Sequence, residues 1–534
     1  MLRIRNAPDG RLDRIALWLE RRSAVLAAAL LAAMLLVAIG GAAHKVLWYD
    51  ELVTTFTASL PTWGAIWRFY ASGLDTTGPV QSFVARLGLG LPLAPEIAVR
   101  LPFMVAFLCM CAGMYGFVRR RYAAGYALAA LAMPMVLPAL FQYIIEARAY
   151  ALMLGATGLG LNFWQAAAAG KARPWSILGL WLALASAIAA HFFAIFLLVP
   201  FAAAQLAQDW PRRRPDWLAW LALLLFPAGF LPFLHGAEMA RVYYAARFHA
   251  KPGPRFIEVP YRELYTSYGW IIISVLLLLA VWLLLSETGH EESGRESAPA
   301  SQGFTRAEWI LVGSLALLPV YEVLGSVVLG VDRPQYAIEF YVGFIVAVVA
   351  AFAEVVRRRR PAGALALIAV LVCAAGGCAH NAFSGIQALL HPSRVHAAAV
   401  AQVEARPWMQ HLPDSPLPVA LDCNSYMDLA YYGTPQFHQR AYALVDPAGF
   451  DDPANKESVT NQQNMMLFSR MLPIHYEDID GFLARNPHFI AVTSFDEHEW
   501  LPSYLLNRQW TKGDLTVTMI FYDAAGSLLD VQMK

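Results

Sequence analysis

A mostly α-helical, polytopic membrane bundle carrying a small C-terminal α/β domain is the architecture the sequence predicts, on three observations. Hydrophobic residues make up 58% of the 534 positions and charged residues only 15%, against roughly 25% charged in ordinary soluble domains. Apolar runs of spanning length recur from Ser23 to Ala379 and then stop. Clusters of Lys and Arg separate those runs in a pattern that fits one side of a bilayer. With 40 Lys+Arg against 39 Asp+Glu, the net charge is +1. The apolar, charge-poor composition excludes a soluble enzyme, and also a disordered or nucleic-acid-binding chain, which would need high polarity or a basic excess.

A spanning helix needs about 20 apolar residues, fewer when the flanks snorkel. In chain order the candidates are Ser23–Ala43, Val99–Val118, Ala124–Phe141, Arg148–Ala168, Trp175–Ala190, Phe192–Ala207, Trp217–Leu234, Gly269–Ser286, Ala307–Gly330, Tyr336–Val355 and Ala362–Ala379. The run from Trp175 to Ala207 is too long for one crossing and thin for two. Basic clusters at Arg21-Arg22, Arg119–Arg121, Lys171/Arg173, Arg212–Arg214 and Arg357–Arg360 settle its reading. They share one side only if the run crosses twice, turning near His191. Pro79–Pro92, interrupted by Gly88 and Gly90, must then lie on or dip into the interface. Eleven crossings follow, with the N-terminus cytoplasmic and the C-terminus outside. One loop pair runs against the rule: outer His235–Tyr268 is basic and inner Glu287–Arg306 is net acidic. Within the former, Arg241–Tyr268 reads as an interfacial helix with snorkelling arginines or as an anionic-headgroup site. The first run lacks a small-x-small cleavage site and reads as an uncleaved helix, not a signal peptide.

The boundary falls near residue 380, giving a membrane domain over 1–379, with an outer loop at 44–98, and an extracytoplasmic domain over 380–534. There polar residues return and apolar runs shrink to strand length. Pro418–Leu421, Ala441–Val445, Phe489–Thr493 and Leu515–Tyr522 read as strands, and Val395–Met409 and Ile479–Asn486 as helices. Cys109, Cys111 and Cys373 are expected as small buried hydrophobes; Cys378 and Cys423 could pair only on the oxidising side.

Ionisable groups at membrane depth are costly and are functional candidates. Asp50 and Glu51, in Leu47-Trp48-Tyr49-Asp50-Glu51 just past the first helix, suit general-base work beside aromatics, or a helix cap. Glu146-Ala147-Arg148-Ala149-Tyr150 offers Arg148 for bidentate phosphate binding, or a Glu146–Arg148 ion pair at a helix start. Asp332-Arg333-Pro334-Gln335-Tyr336 supplies Arg333 and Tyr336, or a loop anchor with interfacial tyrosines. His191 reads as a hydrogen-bonded structural histidine or a substrate contact, and Asp75 as an Asx-type turn or a substrate contact. No glycine-rich phosphate loop and no metal-ligand cluster stands in the sequence, so no metal or other cofactor is expected.

The order Trp48-Tyr49-Asp50-Glu51, Asp75 ahead of Gly78-Pro79, Ala98-Val99-Arg100-Leu101-Pro102 and Glu146-Ala147-Arg148-Ala149-Tyr150 resembles the GT-C superfamily. The similarity is to its polyprenyl-phosphate-sugar-dependent branch, which includes protein O-mannosyltransferases and lipid A aminoarabinose transferases. It covers roughly residues 20–200, and Asp332–Tyr336 matches a later Arg-x-x-Tyr element more loosely. Where relatives carry His-Pro-Pro after the loop aspartate, this chain reads Thr77-Gly78-Pro79. The resemblance implies an inverting glycosyltransferase of the bacterial inner membrane, with 44–98 as its catalytic loop. Asp50, with Glu51 beside it, would activate the acceptor hydroxyl, and Arg148 and Arg333 would hold the donor phosphate. Asp75, Glu146, His191 and Tyr336 would complete the substrate contacts. The implied partners are a polyprenyl-phosphate-sugar donor, membrane lipid and an extracytoplasmic acceptor, with no nucleic acid. A lipid or glycan flippase and an inactive assembly subunit of the same fold are the alternatives. A flippase predicts repeats and mid-membrane charges, which the sequence does not show.

Overall fold

The computed structural model describes residues 11–73, 77–244, 253, 255–266, 269–285, 303–329, 333–450, 459–472, 474–494, 500–523 and 526–534. They fall into two compact units that each use distant stretches of chain. A helical unit comprises Met1–Gly41, Arg100–Pro232 and Lys251–Gln387, and a mixed unit comprises Ala42–Val99, Phe233–Ala250 and Ala388–Lys534. Contact thus groups the outer loop with the C-terminal segment rather than with the membrane helices that flank it in sequence. The break comes at Gln387, inside the helix Arg360–Leu390.

The helical unit begins with Arg11–Ala43, which starts a dozen residues before the apolar run because Leu19 and Ala16 are already buried. The run Trp175–Ala207 does form two helices that meet at His191: Arg173–Ala190, and Phe192–Arg212. Among the described residues five helices are long and apolar enough to cross a membrane singly, and eight crossings result if three bent pairs each count as one. Two of the three bends lie where proline removes a backbone donor. Pro134 and Pro138 turn the 124–145 run by 79°, and Leu318–Pro319 turns the 306–325 run by 56°. The other expected crossings fall at the short apolar helices Ile271–Leu283 and Phe340–Val355 and at Ala149–Ala168. That last helix is buried along most of its length, so it has little lipid to face and less need of apolarity.

Close helix packing in this unit relies on glycine. A Cβ on Gly158 would stand 2.6 Å from the Met110 backbone, and one on Gly113 would stand 2.3 Å from the Gly158 carbonyl. The helices Leu101–Arg119 and Ala149–Ala168 therefore touch backbone to backbone, the small-residue packing of membrane bundles. The first and last helices do likewise: a Cβ on Gly40 would meet the Asn381 carbonyl, and one on Gly385 the Leu36 carbonyl.

In the mixed unit the outer loop folds into short helices, Tyr49–Ala58, Trp63–Ala71, Val80–Leu89 and Pro95–Ala98. Val80–Leu89 has ten residues, too few to cross, as its flanking prolines and glycines predict. The C-terminal segment builds a six-stranded sheet from β1 (Val419–Leu421), β2 (Ala441–Val445), β3 (Tyr476–Asp478), β4 (His488–Ser494), β5 (Leu515–Asp523) and β6 (Gly526–Met533). The order is β3-β2-β1-β4-β6-β5. The first four strands run parallel, while β6 pairs antiparallel with both β4 and β5. Phe482, Phe489, Leu501, Leu505, Leu515 and Val531 form its core. The predicted helix Val395–Met409 is divided into Pro392–Glu404 and Pro407–Gln410 by Pro407. Cys373 is exposed, contrary to the expected burial, because an apolar helix facing lipid needs no cover; Cys378 and Cys423 are free thiols.

Candidate functional site

Asp50 and Glu51 belong to the mixed unit and fall in the first turn of the helix Tyr49–Ala58, where negative charge meets the positive end of the helix dipole. They differ in what they do there. Glu51 is fully buried and folds back so that its carboxylate accepts the Trp48 N–H at 3.4 Å, one half of a capping box. Asp50 is half-buried, and its carbonyl accepts the Thr54 hydroxyl at 2.9 Å. The helix is thus started by Glu51, which leaves Asp50 the more accessible acid of the pair. Leu47, fully buried just upstream, donates its N–H to the Tyr432 hydroxyl at 3.0 Å. Asp75 lies outside the described residues, as does Asp332.

The helical unit gathers the other candidates. Arg148 is the half-buried, extended residue that begins the helix Ala149–Ala168, and its guanidinium lies 5.8 Å from the Tyr150 ring. A cation at the positive end of a helix is chemistry that suits an anion. His191, buried at the break between two helices, accepts the Phe193 N–H at Nδ1 (3.4 Å), which leaves the proton on Nε2. Burial first, and then the charge of Arg148, hold its pKa down to about 3, so it is neutral at physiological pH. Its ring centroid lies 4.8 Å from Tyr336 and 6.0 Å from Tyr150. Tyr336 sits in the 3-10 turn Pro334–Ala337, where its N–H bonds the carbonyl of exposed Arg333. The Tyr336 hydroxyl lies in the fields of both Arg148 and Arg333. Glu146, half-buried, is within electrostatic reach of Tyr143. Arg148, Tyr150, His191, Arg333 and Tyr336 therefore come together from three separate segments of one unit.

Several buried polar groups were not singled out by the sequence reading. Glu339 is 1% exposed, and among the described residues neither carboxylate oxygen has a hydrogen-bond partner. Glu322 is also buried, as is Arg100, quoted above only as part of a motif, and Glu263 accepts from the Tyr341 hydroxyl at 3.2 Å. A charge within or at the end of an apolar run was the available signal for Glu322, Glu339 and Arg100. In the mixed unit, His396 Nδ1 lies 2.8 Å from buried Glu96, a pairing across 300 residues that no local pattern announces. Among the described residues no three His, Cys, Asp or Glu side chains are grouped to hold a metal ion.

No family model and no curated protein matches the chain. Solved structures do. The crystal structure of ArnT from Cupriavidus metallidurans bound to undecaprenyl phosphate aligns with a TM-score of 0.54 at 14% identity. ArnT from the same organism in the apo state aligns with a TM-score of 0.55, also at 14% identity. Each match covers 95% of this chain and 97% of the other. The chain accordingly shares the fold of ArnT along nearly its whole length.

Proposed function

We propose that the chain is an inverting, integral-membrane glycosyltransferase that moves a sugar from a polyprenyl-phosphate donor to an extracytoplasmic acceptor. The acceptor class is a cell-envelope glycan, lipid or protein hydroxyl, and the membrane is the bacterial inner membrane. What carries the reading is a fold shared end to end with a protein crystallised with undecaprenyl phosphate, joined to the motif order from Trp48 to Tyr150. Asp50 takes the acceptor proton while the acceptor oxygen attacks the anomeric carbon in line. The bond from that carbon to the phosphate oxygen breaks, and the polyprenyl phosphate leaves with the added negative charge. Arg148 and Arg333 stabilise that charge, and preorganised electrostatics of this kind are often the largest catalytic contribution. Neutral His191, with Tyr336, walls the phosphate-holding arginine without adding charge, and Glu146 and Asp75 are the remaining substrate contacts. Glu51 serves by holding the helix start that presents Asp50. No nucleotide or other cofactor has a part in the scheme.

The test uses membranes containing the wild-type chain or Asp50→Asn, a panel of polyprenyl-phosphate-linked sugars, and cell-envelope extract as acceptor. Loss of sugar from the donor with wild type, abolished by Asp50→Asn at equal expression, is the expected result. Absence of transfer across the panel sinks the reading in favour of an inactive subunit or flippase. Transfer that survives Asp50→Asn keeps the enzyme and moves the base to Glu51 or Asp75.

A further inference from the structure

We propose that Tyr432 is a positioning residue for Asp50, acting through the backbone of Leu47; the inference rests on the transferase reading. The Leu47 N–H is a donor just ahead of the helix Tyr49–Ala58, in a stretch that no helical acceptor serves. It is buried with Leu47, and the acceptor it uses is the buried Tyr432 hydroxyl, 385 residues away. Fixing Leu47 fixes the path of the chain through Trp48 into the first turn that carries Asp50. The same helix is held further along by Tyr431, whose ring meets Phe56 edge to face with centroids 5.7 Å apart.

Adjacent tyrosines at the end of one helix, Cys423–Tyr432, thus grip the acidic helix at two points. That gripping helix is itself anchored. Asp422 accepts the Ser425 N–H at its start, and Asp428 pairs with Arg406. His396 lies against the Tyr432 ring (centroids 6.0 Å apart) while its Nδ1 lies 2.8 Å from Glu96. The two ends of the 44–98 loop, at Leu47 and Glu96, are therefore tied to one patch of the C-terminal segment. All of these residues lie in the mixed unit. The role of the C-terminal segment is to hold the base-bearing helix start in register.

Tyr432→Phe deletes only the hydroxyl and keeps the ring packing. Tyr426→Phe is the matched control, because it deletes a hydroxyl of the same helix that bonds a backbone N–H away from the loop. Tyr432→Phe is expected to lower kcat on the order of 10- to 100-fold, since small misplacements of a catalytic group cost that much. KM for the polyprenyl-phosphate sugar stays within about twofold, and the thermal midpoint in detergent matches that of Tyr426→Phe, which keeps wild-type kcat. Amide hydrogen exchange over residues 47–52 gives a readout that needs no activity: about fivefold or more acceleration in Tyr432→Phe and none in Tyr426→Phe. Equal kcat in the two variants, or unchanged exchange over 47–52, overturns the proposal. Absence of transfer by the wild type condemns the transferase reading and with it the tie to catalysis, while exchange still decides whether Tyr432 fixes the helix start.

Discussion

The two ends of the helical unit treat charge in opposite ways. At the end where Leu101–Arg119 and Phe340–Val355 finish, three buried or half-buried glutamates are each paired with an arginine. Glu20 pairs with Arg119 at 2.7 Å and accepts the Ala124 N–H. Glu308 takes Arg121 at 2.9 Å, the Gln165 amide at 2.6 Å and the Thr305 N–H at 2.7 Å. The Tyr122 hydroxyl donates to Glu354, which also holds Arg358. At the other end Arg148 is set among Tyr150, His191 and Tyr336, rings that shape a wall and carry no charge of their own. Closed pairs hold helices in place. Around Arg148, which the proposed reaction assigns to the donor phosphate, the ring contacts are aromatic instead.

That contrast can be broken by separating stability from turnover. Arg148→Ala is expected to lower kcat on the order of 10²–10³-fold, with the thermal midpoint in detergent close to wild type. A fall in stability with little change in turnover would make Arg148 a structural residue and erase the difference between the ends. Glu308→Ala tests the opposite corner. It strands Arg121 and removes one of the Gln165 amide's acceptors, and is expected to destabilise by about 3 kcal/mol, read from chemical or thermal unfolding. Turnover per folded molecule should be unchanged.

His191 sharpens the comparison through pH. The unfolded chain carries a histidine with a pKa near 6.5, while the folded one is held at about 3. Between those values only the unfolded chain binds the proton, so stability is full above about pH 6.5 and declines as pH falls. At pH 5 the loss attributable to this residue is about 2 kcal/mol. A His191→Gln variant should show a flatter stability profile between pH 6.5 and 5, and parallel profiles would mean that the ring is protonated in the folded state. Tyr122→Phe is the mildest change. It removes a donor to Glu354 and the acceptor of the Phe304 N–H, and it should cost about 1–2 kcal/mol of stability and no activity.

Much of this was legible in the sequence where a rule acts locally. The basic clusters dictated two crossings between Trp175 and Ala207, and the helices break at His191 as that rule requires. The strands β1, β2, β4 and β5 announced themselves as short apolar runs. β3 did not, because Tyr476-Glu477-Asp478 is an edge strand with polar side chains, and neither did β6, which opens on Gly526 without alternation. Of the candidate site, the residue types were visible, and so was the ambiguity of Asp50 and Glu51. Which of the two caps the helix required the fold, since both sit at plausible cap positions. The tie from Leu47 to Tyr432 had no local signal at all: a backbone donor and a hydroxyl 385 residues apart leave no period to detect. Assigning residues 44–98 by contact rather than by chain neighbours has the same cause.

The glycine seam between Gly40 and Gly385 sets an order of events during synthesis. The close partner of the first helix is translated about 345 positions later. At 5–20 residues per second that is a wait of roughly 20–70 s, during which the Gly40 face of the opening helix lacks its final partner. Its bare glycine groove is therefore presented to the nascent bilayer long before the closing helix arrives to fill it. Ribosome-bound intermediates truncated before residue 381 should expose Gly40 to a lipid-phase crosslinker, and chains extended past residue 390 should protect it.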